Sequence, residues 1–206
     1  VYLHSGYLYV LDPADGAARQ VKVAIPTDAW TIADRTINAR EYIQSMAVSN
    51  DGATAVFEAR GDVFLVPADK DLATRNLTRS PGSRERYPQL SPDGKRVAFF
   101  SDASGEYELY VMPVDPDGAR VKLTDGLVTT KYHLEWSPDG AKILFGTKDF
   151  AIYVVDVATK RLTKVDSSNR LKNDEFYWEI SDYTWSPDGK WIAYSFVQPN
   201  RNNKIF

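Results

Sequence analysis

Short runs in which apolar and polar residues alternate recur along the chain, separated by clusters of Gly, Pro, Asp and Ser. Alternation of period two marks half-buried strands, and such clusters mark the turns between them. The clearest stretch starts with Tyr87-Pro88-Gln89-Leu90, which predicts a short first strand. Ser91-Pro92-Asp93-Gly94 follows as a turn, with Pro pre-set for the second position and Gly for the last. Lys95 to Ser101 predicts a second strand and Asp102–Glu106 a polar loop. Tyr107–Val114 predicts a third strand, Asp115-Pro116-Asp117-Gly118 a second turn, and Ala119 to Thr124 a short fourth strand. No part of the chain sustains helical periodicity.

The pattern repeats. Ser-Pro-Asp-Gly occurs at Ser91–Gly94, Ser137–Gly140 and Ser186–Gly189, and Ser49-Asn50-Asp51-Gly52 is a variant copy with Asn50 in place of Pro. The turn aspartates Asp51, Asp93, Asp139 and Asp188 stand 42, 46 and 49 residues apart, each followed by an apolar strand pattern. Such a period in an all-β chain corresponds to one four-stranded propeller blade per repeat. The expected fold is therefore all-β, a β-propeller of four-stranded antiparallel blades that is incomplete in this chain. Leu77-Thr78, Leu123-Thr124 and Leu162-Thr163 read as the closing motif of three units.

The expected organisation follows from the repeats. Residues 1–23 read as the last strands of a preceding blade, with Val1–Val10 as strand, and 24–41 as a linker. Residues 42–206 read as a propeller segment with blades at about 42–80, 84–125, 131–166 and 179–206, the last partial. Asp166–Tyr177 is a polar insertion. Both ends of the chain fall within repeats, so further units are expected outside it, since a closed ring takes about 4–8 blades. A lone blade is apolar on both faces and buries them only by stacking on its neighbours. Val48, Leu90, Trp136 and Trp185, each just before a turn serine, are expected between blades.

Composition narrows the function classes. The 206 residues are 43% hydrophobic and 26% charged, ordinary for a globular chain with a real core. A formal charge of −3 gives no bulk attraction to nucleic acid or to an anionic membrane, and no apolar run approaches the ~20 residues of a spanning helix. Neither nucleic acid nor membrane is expected as a partner. With no cysteine, disulfides, thiol catalysis and Cys-ligated zinc are excluded.

Candidate chemistry is sparse. A Ser/His/Asp triad needs a histidine beside the nucleophile, and only His4 and His133 exist, both reading as strand residues. There is no G-x-S-x-G elbow and no Gly-rich phosphate loop. The four turn aspartates read as turn architecture. Asp115–Gly118 lacks the further oxygens of a calcium loop, and Asn76-Leu77-Thr78 matches a glycosylation acceptor by coincidence with the closing motif. Ser83-Arg84-Glu85-Arg86 and Arg201-Asn202-Asn203-Lys204 read as polar loops able to line an axial channel and meet peptide carboxylates. Arg60, in the tight Arg60-Gly61-Asp62 turn, is expected in a structural ion pair. No catalytic, cofactor-binding or metal-binding residue is assigned, and no cofactor is expected.

The repeat W-S-P-D-G-x-x-I-A-F/Y…G…L/I-Y-V…L-T resembles the propeller repeats of tricorn peptidases, TolB and the prolyl oligopeptidase group. Ile43-Gln44-Ser45, Phe57–Phe64, Val66-Pro67-Ala68, Asn76-Leu77-Thr78 and Ser101–Tyr110 look like the opening of the second propeller of tricorn-like peptidases, and Gly6-Tyr7-Leu8-Tyr9 resembles the end of the first. The resemblance implies a non-catalytic segment that gates or channels peptides to a serine-peptidase core outside this chain. It implies peptides or unfolded polypeptide, the remaining domains of the same protein and a homo-oligomer as partners, and an extracytoplasmic location in bacterial members. The other resemblances imply a TolB-like interaction propeller or the cap propeller of a prolyl-oligopeptidase-like hydrolase.

Overall fold

The structure is a computed structural model that describes residues 1–4, 7–23, 38–115, 118–167, 182–197 and 203–206. Its contacts divide the chain into two units, Val1–Ile37 and Asn38–Phe206. In the first, β1 (Tyr2–His4), β2 (Tyr7–Leu11) and β3 (Ala18–Gln20) form an antiparallel sheet in that order. The stretch expected as one strand over Val1–Val10 is thus two, paired with His4 opposite Tyr7 and the Tyr2 and Tyr9 rings stacked 5.5 Å apart. Pairing lets the aromatic residues of each strand cover those of the other, which a single extended strand could not do. Of the expected linker 24–41, residues 24–37 lie outside the described residues.

The second unit opens with a 3-10 turn over Ala39–Tyr42, capped by Asn38. Four sheets follow. The first holds β4 (Ile43–Val48), β5 (Thr54–Ala59), β6 (Asp62–Pro67) and β7 (Arg75–Asn76). The second holds β8 (Glu85–Leu90), β9 (Arg96–Ser101), β10 (Glu108–Pro113) and β11 (Val121–Lys122). The third holds β12 (Lys131–Trp136), β13 (Lys142–Thr147), β14 (Ala151–Asp156) and β15 (Leu162–Ser167). The fourth holds β16 (Tyr183–Trp185), β17 (Ile192–Val197) and β18 (Asn203–Ile205). Each is an antiparallel meander in chain order. Asn203–Ile205, which read both as the start of a strand and, at Asn203 and Lys204, as the end of a polar loop, are strand, because β18 pairs with β17. The rest of that loop and most of the Asp166–Tyr177 insertion lie outside the described residues. No α-helix occurs among the described residues.

The four serine turns share one geometry. In each the Ser hydroxyl donates to the Asp carboxylate, at 2.6, 2.5, 2.6 and 2.6 Å from Ser49, Ser91, Ser137 and Ser186. The same carboxylate accepts from the backbone N–H two residues on. Gly52, Gly94, Gly140 and Gly189 close the turns at φ near +70° (71, 67, 68 and 68), which favours glycine. The variant first copy is built like the others, and its Asn50 Nδ2 reaches the Pro92 carbonyl of the next turn at 3.4 Å. All four aspartates are held below the usual carboxylate range, chiefly by the serine hydroxyl. They are architecture.

The sheets stack face to face in a row, which is how propeller blades pack. Val56, Val63 and Leu65 of the first meet Leu90, Val97, Phe99, Tyr110 and Met112 of the second. The other face of the second carries Ala98, Phe100, Leu109 and Val111, which meet Trp136, Ile143, Phe145 and Tyr153 of the third. Leu144 and Ile152 then pack on Trp185 of the fourth. Burying each such large side chain is worth about 1.5–3 kcal/mol. Leu90, Trp136 and Trp185 lie between sheets as expected, but Val48 does not and is 52% exposed. The position faces the preceding sheet, and β4 belongs to the first sheet of its unit. Alternation turns Ala47 toward the second sheet and Val48 away.

The two tryptophans differ in one respect. Trp136 Nε1 donates to the Gln89 carbonyl at 3.1 Å and its ring lies under the Arg96 guanidinium, 4.9 Å away, while Trp185 Nε1 is buried without a partner among the described residues. Either Trp→Ala change should cost about 3–5 kcal/mol in thermal or denaturant unfolding. Trp136→Phe should cost about 1 kcal/mol more than Trp185→Phe, because only the first loses a hydrogen bond. A second test follows from the turns. The depressed Asp93 carboxylate stabilises the fold above its ordinary value of 3.8, and that contribution is lost as pH falls through the lower folded value. The stability gap between wild type and Asp93→Ala should therefore be constant above that pH and shrink below it.

Candidate functional site at the hub

The first strands of the first three sheets, β4, β8 and β12, touch in succession and lie closer together than the fourth strands, so the row of sheets turns about a hub lined by first strands. Each of the three carries a bulge at the same place, at Gln44, at Tyr87-Pro88 and at His133. Tyr87 and His133 adopt positive φ of 51° and 32°, a conformation that strains non-glycine residues and concentrates at functional positions. Their rings lie 6.0 Å apart. Arg86 stacks on the Tyr87 and Tyr107 rings at 4.9 and 5.7 Å.

Beside the hub lies a series of buried charges. Glu58 accepts from the Ser45 hydroxyl at 2.6 Å and the Tyr87 N–H at 3.2 Å, with Arg84 3.7 Å away. Glu85 accepts from Ser83 and Ser101 at 2.8 and 2.9 Å, faces Arg120 at 3.6 Å, and is pushed up by burial. Glu108 accepts from Thr124 and lies 3.5 Å from the Lys131 ammonium. Lys131 is fully buried, donates to the Tyr107, Leu127 and Thr129 carbonyls, and is shifted down by that burial against the pull of Glu108.

These contacts explain the closing Leu-Thr motif. The Thr78 hydroxyl donates to Asp62 at 3.0 Å and accepts from Val63 N–H at 3.0 Å. Thr124 does the same for Glu108 and for Leu109 N–H, the latter at 2.9 Å. In the third sheet the equivalent place is taken by Ser167, opposite Ala151, and not by Thr163, which pairs with Val154. A tight Asp156–Lys160 turn lets β15 run the full length of β14, and Ala151 brings no carboxylate to satisfy.

An open cleft of about 310 Å³ sits at the inner edge of the first two sheets, lined by Tyr42, Gln44, Arg60, Gly61, Ser83 and Arg84. Arg84 hydrogen-bonds Gln44 at 2.6 Å and its side chain is 45% exposed. Arg60 lies over the Tyr42 ring, 5.2 Å from its centre, and no carboxylate pairs with it among the described residues. The expected ion pair is replaced by this stacking because the turn aims Arg60 outward. The stretch expected as a loop over Ser83–Arg86 is in part strand: β8 begins at Glu85, whose N–H donates to the Gly61 carbonyl at 2.7 Å.

The family model described as the tricorn protease second β-propeller domain matches residues 43–205. This chain belongs to that family. A protein of Sulfurisphaera tokodaii, provisionally named a tricorn-like protease C-terminal subunit, is 28% identical over 205 residues, all of this chain and 22% of that protein. The tricorn protease homolog of Saccharolobus solfataricus is 24% identical over 198 residues, 96% of this chain and 17% of that protein. The chain thus spans about a fifth of the length of these curated relatives. In fold it is similar to the crystal structure of the tricorn protease, with a TM-score of 0.66 at 19% identity over 93% of this chain and 17% of that one. It is also similar to TolB from Acinetobacter baumannii, with a TM-score of 0.59 at 17% identity over 96% of this chain and 45% of that one.

In this tricorn propeller segment His133 shares a cleft of about 620 Å³ with Asp182 and Ser195. The arrangement is not a triad: Ser195 donates to Asp182 at 3.2 Å, and no hydrogen bond joins either to the His133 ring among the described residues. The His4 side chain and Asp117 lie outside the described residues. Asn76 donates to Asp62 at 2.9 Å within the fold. The sequence reading missed the buried Glu58, Glu108 and Lys131; the glutamates were signalled by a charge next to apolar strand residues, whereas Lys131, at the start of a strand after Thr129 and Thr130, carried no such signal. Lys131→Met should strand Glu108 and cost about 3–5 kcal/mol in denaturant unfolding, and Lys131→Met with Glu108→Leu should recover much of the loss.

Proposed function

We propose that this chain is a non-catalytic propeller segment of a tricorn-like serine peptidase, past whose hub peptides travel to or from a catalytic core carried elsewhere in the protein. In this reading residues 1–23 close a preceding blade and 42–206 open the second propeller. The hub is the observation that carries it. First strands, bulged and polar at their inner ends, form a surface on which a peptide backbone finds hydrogen-bonding partners, and Arg60 and Arg84 offer guanidinium groups to its carboxylates. The remaining domains of the protein and further copies of it are the expected neighbours.

The chain by itself should hydrolyse no peptide, and turnover that stays with it through purification would overturn the reading. In the intact protein, Arg60→Asn keeps a residue that tolerates the positive φ of 56° at this turn. It should slow hydrolysis of long peptides relative to a dipeptide substrate while leaving unfolding unchanged. An equal effect on both substrates, or none on either, would count against passage by the hub.

A further inference from the structure

The junctions between successive sheets provide an internal comparison. Where the second sheet meets the third, Arg96 closes the outer end of the junction: its guanidinium covers the Trp136 ring at 4.9 Å and donates to the Gly140 carbonyl at 2.9 Å. The Trp136 N–H is satisfied within the junction. Where the third sheet meets the fourth, the residue three places after the turn aspartate is Lys142 instead of arginine.

Lys142 does not repeat the closure. A Cβ on Gly140 would meet the Arg96 guanidinium at 3.1 Å, whereas a Cβ on Gly189 would meet only Pro138. The junction is left as a groove of about 560 Å³, with Val154, Trp185 and Ile192 among its apolar lining and Lys142, Arg161 and Lys190 at its rim. Trp185, 9% exposed, lines it, with its indole nitrogen buried and without an acceptor among the described residues. The acidic residue in the lining is Asp156, whose Oδ1 already accepts from the Thr159 N–H and hydroxyl, both at 2.8 Å. Lys190 lies 3.8 Å from Asp188, both exposed, while Lys142 and Arg161 have no ion-pair partner among the described residues.

From this geometry we infer that the groove between the third and fourth sheets is a docking site for an acidic peptide segment of another polypeptide. Its carboxylates pair with Lys142 and Arg161, and an aliphatic side chain lies against Trp185 and Ile192. Charge complementarity selects this occupant: three cations stand around an apolar floor with one internally engaged carboxylate. The site lies apart from the hub and does not depend on peptide passage there.

The test is binding of a fluorescein-labelled peptide of alternating Glu and Leu to the intact protein, beside a Gln/Leu control, with thermal unfolding recorded for every variant. The acidic peptide should bind, more weakly as salt rises, and the control should not. Lys142→Glu should weaken binding by roughly tenfold or more, the loss of one charge-assisted hydrogen bond. Lys142→Arg keeps the charge but should rebuild the closure seen at Arg96, raising the unfolding temperature while weakening binding by about as much. Failure of the acidic peptide to bind, equal binding of the control, or indifference to Lys142→Glu would overturn the site. Tighter binding by a Lys142→Arg protein of unchanged stability would overturn the closure that defines it.

Discussion

Everything in the second unit depends on apolar sheet faces being covered by the faces of neighbouring sheets. An interior sheet has two such faces, so consecutive residues of its middle strands must both be apolar. In β9, Val97 and Phe99 point toward the first sheet while Ala98 and Phe100 point toward the third. β13 divides in the same way, with Ile143 and Phe145 on one side and Leu144 on the other. The first sheet has a neighbour within its unit on one face, and β4 accordingly alternates, with Met46 and Val48 more than half exposed. The length of the apolar run thus follows from how many faces of a sheet are covered.

Close stacking sets a condition on polar groups as well. Where a carboxylate enters at the start of a third strand, as at Asp62 and Glu108, a threonine from the end of the unit meets it and satisfies a strand N–H at the same time. Where Ala151 replaces the carboxylate, the threonine is absent. Buried polar groups are tolerated when they are hydrogen-bonded, and in the first two units the carboxylate comes together with the threonine hydroxyl that satisfies it. The Lys131 ammonium, held by three carbonyls and Glu108, extends this rule across the junction of the second and third sheets.

Against this common frame, the repeats differ at a few positions. The inner strands share a bulge, yet it carries Gln44, Tyr87 and His133 in turn. The outer end of one junction is shut by Arg96 and that of the next is left open by Lys142. An arginine fork can stack on an indole and reach a carbonyl together, which a lysine cannot do. At this place the closed seam carries arginine and the groove lysine.

The sequence by itself determined the repeat, its turns and the class of fold, because these rest on local chemistry. A Ser–Asp pair with a following glycine makes its turn whatever lies around it, and alternation marks a strand before any partner is known. It also carried the family resemblance. Tertiary structure alone decided that Val48 is exposed while Leu90, Trp136 and Trp185 are buried, since that depends on whether a sheet lies opposite. It likewise decided that Glu85 opens a strand, that Ser167 and not Thr163 occupies the closing place, and that Arg60 stacks on Tyr42. Each of these is a contact between residues far apart in the chain, set by the register and stacking of whole sheets, and no local pattern encodes it.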